Sequence, residues 1–335
     1  MNKIRQLQII LLDSLDSLRA LQATNQALPT ALQHCIKKGR VQRLWNHDDE
    51  STSLAAWQKS MLHALPAELL PSGMASAALC WRGEGGVLRP GTWMKLQLAH
   101  YAAGMNDVHI RFPNDVSDDQ GQELINAVRP LLTLAGFETH SSPGNQWYVW
   151  CEPVLDLKTP EIHSGITTNR YDVLPSGVDA PPLRRLLTEA QMTLHQHPIN
   201  HQREQQGLPT LNGIWLSGAG SPVAASSSTS QRIMSTQPYV IGLCEQINSS
   251  CLPVPSGIDE LLQLRDDQMV LVLSGAHVLA VDRDWMQPVL SSLNAGYIAQ
   301  LEIYLDHLKF SMQGGRLHQV HRWLSRDNEI VELLN

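Results

Sequence analysis

The chain has 335 residues, enough for two domains or subdomains, and 43% of them are hydrophobic, which argues for a folded core. Lys plus Arg number 25 against 32 Asp plus Glu, a net charge of −7. A general nucleic-acid binder needs a basic face to displace counterions, so that class is excluded. No run approaches the roughly 18 apolar residues of a membrane span. The early apolar run Ile9–Leu12 is too short for a secretory leader, so a cytoplasmic protein without membrane contact is expected.

Five cysteines, Cys35, Cys80, Cys151, Cys244 and Cys251, stand far apart with no C-x-x-C pair, as reduced structural thiols do. Nine Trp against three Phe is an unusual balance. An indole buries much area but needs a partner for its N–H, so some of these rings belong at seams or cleft walls.

Leu7–Leu12 reads as a buried strand, and 15–22 as a possible helix. Helices follow over about 29–38 and from Ser51 or Thr52 to Leu65. Ala75–Trp81 reads as a strand, closed by the turn at 82–86. Trp93–Leu98 and Val108–Phe112 alternate like strands. Ser117 caps a helix that runs to about Ala135 and stops at Gly136. Two short strands, 137–140 and 146–151, complete a compact strand-strand-helix-strand-strand unit.

Pro181-Pro182 opens a strong helix that Pro198 ends. Pro198 also suits the first position of a further short helix, with His197 just before it. Leu211–Leu216 reads as a strand emptying into the turn Gly218-Ala219-Gly220, and 221–230 as a flexible loop. Beyond it come strands at 239–243, 269–273 and 301–305, helices at 257–264 and 285–293, and a partner strand at 310–312. The alternation implies an α/β fold: a mostly parallel sheet with helices on both faces, plus an inserted small α+β subdomain. The boundaries are 1–88 and 156–335 for the two parts of the core and 89–155 for the subdomain.

No complete catalytic centre is legible. Gly218-Ala219-Gly220 lacks the third glycine of a dinucleotide fingerprint and the Lys-Ser/Thr of a P-loop; it is an amide nest for an anion or a tight turn. His195, His197 and His201 are interrupted by Pro198, which breaks the i, i+4 face of a helical metal pair. Arg203, beside Glu204, has the fork that grips carboxylate or phosphate, or forms an internal pair. Asp13-Ser14 and Asp306-His307 each follow a strand, and His318 and His321 lie three apart. Together these are fragments of a two-metal phosphatase set, which needs about six ligands.

The order His197-Pro198-Ile199-Asn200, Arg203-Glu204, Asn212-Gly213-Ile214-Trp215 and Gly218-Ala219-Gly220 resembles the bacterial group named after the E protein of the regulation-of-pathogenicity-factors cluster (RpfE type). That group is uncharacterised, and some members are labelled phosphoglycerate mutase. The passage is also similar to archaeal-type cofactor-independent phosphoglycerate mutases, which carry a like His-Pro-Val-Asn segment and an Arg-Gly-Ala-Gly turn. The resemblance implies an alkaline-phosphatase-like α/β core, a Ser nucleophile and two metals. This chain departs from that pattern. Ser217 replaces the turn Arg, Asp306-His307 is followed by Leu308-Lys309-Phe310 instead of Ser/Thr-Thr-Pro, and Asp13 is followed by Ser14 instead of Gly.

The expectation is therefore a catalytically degenerate, phosphoglycerate-mutase-like protein with a regulatory or ligand-binding role and no cofactor. Its ligand is a small anionic or phosphorylated metabolite, or a protein partner. The 195–220 segment lines the binding cleft: Arg203, beside Glu204, and the amides near Gly218 and Gly220 face the anion. His197, Asn200 and Asn212 hold the junction together through buried hydrogen bonds, and Trp215 is a core residue or a cleft wall. The alternatives are a divalent-metal phosphomutase or phosphatase using Asp13, Ser14, Asp306 and His307, and a regulatory scaffold for protein–protein contacts.

Overall fold

The computed structural model describes residues 3–12, 14–24, 26–44, 61, 63–64, 75–104, 107–142, 146–160, 166–169, 174–222, 231–264, 266–275 and 277–314. Asp13, most of the 51–65 helix, the 223–230 loop and the segment holding His318 and His321 lie outside them. In chain order the first elements are β1 (Ile4–Leu12), α1 (Ser14–Ala23), α2 (Thr30–Lys38), β2 (Arg40–Arg43), α3 (Ser76–Gly83), β3 (Thr92–Ala103), β4 (Asp107–Arg111) and α4 (Asp118–Leu134). Next come β5 (Glu138–Ser142), β6 (Gln146–Cys151), β7 (Ile166–Asn169), α5 (Ala180–His195), α6 (Pro198–Gln205) and β8 (Gly213–Gly220). The last stretch holds β9 (Arg232–Met234), α7 (Pro238–Gln246), β10 (Cys251–Leu252), α8 (Ile258–Gln263), β11 (Gln268–Ser274) and α9 (Val278–Val281). A π-helical turn (Asp282–Met286) then leads into α10 (Gln287–Ala295), β12 (Ile298–Leu305) and β13 (Leu308–Gln313).

The chain divides into two compact units. The first joins the described residues up to Ala64 with those from Gln231 onward, around a sheet of order β10-β9-β11-β1-β12-β13-β2. β10, β9, β11, β1 and β12 run parallel, whereas β13 and β2 are antiparallel. The sheet is thus mixed, because the two-residue turn Asp306-His307 folds β13 straight back on β12 where a helical crossover would keep the strands parallel. Leu7, Ile9 and Leu11 of β1 alternate onto one face and join Leu271, Leu301, Ile303 and Phe310. Apolar stripes of α1, α2, α8 and α10 cover that face through Leu18, Leu32, Leu261 and Val289.

Asp282 illustrates how the sequence fixes one of these helices. Pro29 precedes α2 and offers no side-chain cap. Asp282, only 3% exposed, supplies it from the π turn, accepting from the Ala31 and Leu32 amides at 3.2 and 2.7 Å.

The second unit contains the described residues 75–222 and an antiparallel sheet of order β5-β6-β3-β4-β7, with β8 alongside β3. It is wider than the 89–155 subdomain read from the sequence, because β8, Trp93↔Gly220 to Ala99↔Gly213, completes the sheet that β3 begins. Met94, Leu96, Val149 and Ile214 on one face pack with Leu124 and Val128 of α4 and Leu183 and Leu186 of α5. On the other face α3 packs its alanines against Trp93 and Tyr148.

Two segments expected as strands are helices. Residues 75–81 form α3, and 239–243 belong to α7, whose first helical position is Pro238. A short apolar run buried on every side reads the same in either period, and alanine content in one and an initiating proline in the other tip both toward helix. α4 matches its reading closely: Ser117 Oγ accepts from Gln120 N, and Gly136 sits at φ +87 just beyond the helix.

Candidate functional site

His197, Asn200 and Arg203 lie on or just before α6, and Asn212, Trp215 and Gly218 on or just before β8, all in the second unit, and internal bonds hold most of them. His197 is the N-cap of α6; its Nδ1 accepts from Ile199 N at 3.3 Å, while Nε2 lies 3.9 Å from Glu123. Asn200 is 1% exposed. Its amide nitrogen donates to the Leu194 and Leu211 carbonyls at 2.7 and 3.1 Å, and its oxygen accepts from Leu211 N at 2.7 Å. The end of α5, α6 and the entry to β8 are thereby tied by one side chain. Asn212 makes the same two-way bond with the backbone of Tyr101 on β3, at 2.8 and 2.9 Å.

Arg203 is fully buried. Nε donates to Pro209 O at 2.7 Å, Nη1 to Gln120 Oε1 at 3.3 Å, and Nη2 to both oxygens of Asp115 at 3.0 Å. Of the two roles open to Arg203, a grip on an anion or an internal pair, the geometry shows the internal pair with Asp115. Glu204, beside it, is an exposed side chain 3.9 Å from His201 Nδ1.

The glycine segment is likewise occupied. β8 continues through Gly218-Ala219-Gly220, and the pairing with β3 shifts between Trp93 and Lys95, so the sequence-read turn is a bulge within the strand. Gly218 adopts φ +66, and an added Cβ would meet Ser76 Oγ and lie 2.7 Å from Ala77 N. Gly220 faces Ala75, whose Cα would be 3.0 Å from such a Cβ. The glycines let β8 approach the start of α3, and the Ala219 amide donates to Thr159 Oγ1 at 2.9 Å. Trp215 is a core residue, 2% exposed, with its ring edge-on to Phe112 at 5.9 Å. Its N–H and the cross-strand Gln97 Oε1 are buried without hydrogen-bond partners among the described residues.

Of the candidate metal and nucleophile residues, Ser14, Asp306 and His307 are described and lie in the first unit. β1 and β12 are parallel neighbours with Leu11 opposite Leu305, so Ser14 and Asp306-His307 follow adjacent strand ends at one sheet edge. Ser14 is buried and its Oγ donates to Leu11 O at 3.1 Å. Asp306 occupies the turn at φ +47, and the His307 carbonyl accepts from Leu44 N. Among the described residues no three His, Cys, Asp or Glu side chains cluster as metal ligands.

A further polar group escaped the sequence reading. On the sheet face away from Leu7 and Ile9, Glu302 is buried and bonded to Lys309 Nζ at 2.9 Å, Gln8 Nε2 at 3.0 Å, Gln300 Nε2 at 3.0 Å and the Tyr304 hydroxyl at 3.1 Å. Burial pulls its pKa up, but the bonds from Lys309 and Gln8 outweigh burial and leave the carboxyl below its ordinary value. Burial, then the charge of Glu302, pushes the Tyr304 hydroxyl up, so it remains a donor. The available signal is the alternation Gln300, Glu302, Tyr304 in a strand otherwise rich in Ile and Leu.

No protein-family model and no curated protein matches the chain. Among solved structures it is similar to the PH0037 protein of Pyrococcus horikoshii, at 14% identity and a TM-score of 0.50, over 94% of this chain and 88% of that one. It also aligns with the cofactor-independent phosphoglycerate mutase of Thermoplasma acidophilum DSM 1728, at 18% identity and a TM-score of 0.41, over 98% and 94% of the two chains. The likeness to PH0037 is one of fold, and it extends over nearly the whole α/β architecture described above.

Proposed function

We propose that this chain is a catalytically degenerate, phosphoglycerate-mutase-like protein that works by binding a small ligand with an anionic group. Its role would be regulatory, as the RpfE-type resemblance implies. The observation that supports the degenerate half of this reading is the state of Arg203. In the passage that most resembles the mutases, the one guanidinium is fully buried, paired with Asp115, and serves the fold. Ser217, in place of the turn arginine, supplies no replacement charge.

The test is a melting scan with 3-phosphoglycerate, Mn²⁺ and Zn²⁺, alongside a phosphoryl-transfer assay with 3-phosphoglycerate and a generic phosphate ester. The expected result is a melting shift with a small organic anion and no turnover. Metal-dependent turnover would sink the reading. It would favour a divalent-metal phosphomutase or phosphatase, to which the adjacent strand ends carrying Ser14 and Asp306-His307 lend specific support.

A further inference from the structure

The second unit carries a pocket of about 370 Å³ away from the Arg203 junction, lined by Trp81, Glu84, Gly86, Arg89, His140 and Ser142. Its walls are the loop after α3 and the edge strand β5, which Trp81 and His140 join through a ring contact at 5.5 Å. Trp81 stacks on Trp93 with ring centroids 5.8 Å apart, and Gly86 lies so close to it that a Cβ would strike the indole. The Trp81 N–H donates to Val87 O at 3.2 Å.

Arg89 is the cation of the pocket and is fixed in place. Its guanidinium carbon lies 3.7 Å from the centre of the Trp150 ring. Nη2 donates to Glu138 Oε2 at 2.6 Å and to His140 Nε2 at 3.1 Å. Nε and Nη1 make no hydrogen bond among the described residues, so part of the fork is held ready and unused. Burial and the charge of Arg89 lower the His140 pKa, so the imidazole is neutral near pH 7 and accepts through Nε2. Glu84 is the fixed anion, accepting from the Tyr148 hydroxyl at 2.9 Å and from the Ser142 hydroxyl.

These charges select a ligand. A bare anion would meet Arg89 but be opposed by Glu84 and Glu138. A bare cation would leave the Arg89 donors unmatched. A molecule with both charges satisfies both walls, and a volume of about 370 Å³ admits a single amino acid with its side chain. Glu138 is 56% exposed, and a surface pair of this kind is weak, so a ligand carboxylate can share its guanidinium.

We propose that this pocket binds a free α-amino acid as its zwitterion, the carboxylate on the open Nε and Nη1 donors of Arg89 and the ammonium on Glu84. The inference rests on the binding reading above and gives it a site and a ligand class.

The experiment is calorimetric titration of the full chain with glycine, leucine, phenylalanine, glutamate and lysine, with acetate and methylamine as half-ligands. Saturable binding of at least one amino acid is expected, with each half-ligand at least about tenfold weaker, as loss of a charge-assisted bond implies. Arg89→Met and Glu84→Gln should each weaken binding by about tenfold or more. Arg89→Lys, which keeps the charge and loses the fork, should fall between and serves if Arg89→Met does not fold. The proposal is overturned if none of the five amino acids binds, if acetate binds as tightly as they do, or if the Arg89 variants bind like the parent. A melting response to 3-phosphoglycerate without amino-acid binding would remove this pocket and leave the binding reading standing. Metal-dependent phosphoryl transfer would remove that reading instead.

Discussion

Arg203 and Asp115 meet through two 3.0 Å bonds from a single nitrogen, with the guanidinium wholly buried and the carboxylate 43% exposed. The asymmetry decides what each substitution does. Asp115→Asn keeps the shape and removes the counter-charge, leaving a buried cation with only neutral acceptors; a loss of about 1.5–3 kcal/mol is expected. Arg203→Met also orphans Pro209 O and Gln120 Oε1 and should cost about 3 kcal/mol or more. Urea midpoints check both. A ligand-facing Arg203 would behave oppositely, with stability intact and ligand affinity lost.

That pair also shows where sequence reading stops. Local features were legible: the Ser117 cap, the Gly136 stop, Pro198 opening α6 behind His197, and the β12–β13 hairpin. Each depends on neighbours a few residues away. Asp115 lies 88 residues from Arg203, and nothing local marks it as the occupant of the fork. The glycines misled for a related reason. A strand running into Gly-Ala-Gly looks like an anion nest, yet the small residues exist because α3 passes close by, and α3 itself read as a strand. The pocket around Arg89 joins residues from 81 to 142, and only the excess of tryptophan hinted at an aromatic wall.

The Glu302 network predicts an acid-sensitive fold. The carboxyl sits below its ordinary value of 4.5 in the folded chain. The unfolded chain therefore binds the proton more readily. The stabilisation is fully present above about pH 4.5 and is lost as pH falls through the lower folded pKa. Glu302→Gln should lose about 1–3 kcal/mol at pH 7, because Lys309 is left without its anion. The difference from the parent should shrink below pH 4.5. Urea unfolding in steps from pH 7 downward measures it; a gap that stays constant with pH would show that the charge of Glu302 contributes nothing.

Cys244 on α7 and Cys251 on β10 share a hydrogen bond that raises the Cys244 pKa and lowers that of Cys251, with burial of Cys244 adding to its rise. Cys251, only partly buried, should thus be the first thiol alkylated. Mild hydrogen peroxide should join the two as a disulfide, with the peroxide reduced to water. Cys251→Ser should abolish both reactions at this pair. Peptide mapping after iodoacetamide, with and without peroxide, reads the outcome; preferential labelling of Cys244 would contradict the hydrogen-bond direction.

Gly218 should tolerate no side chain. Its φ of +66 already disfavours an L residue, and an alanine Cβ there would be driven against Ser76 Oγ and the Ala77 backbone nitrogen. A flexible side chain could move aside, but a helix backbone cannot, so α3 would have to shift from β8. Strain at the positive φ alone is worth about 1–2 kcal/mol. The steric clash adds to it, and Gly218→Ala should cost about 3 kcal/mol in total. Gly207, also at positive φ but with nothing within 4 Å of an added Cβ, is the control: Gly207→Ala should show the backbone strain alone. Paired urea melts separate the two contributions. Equal losses at both positions would mean that α3 yields freely, and that the Gly-Ala-Gly run serves something other than close packing.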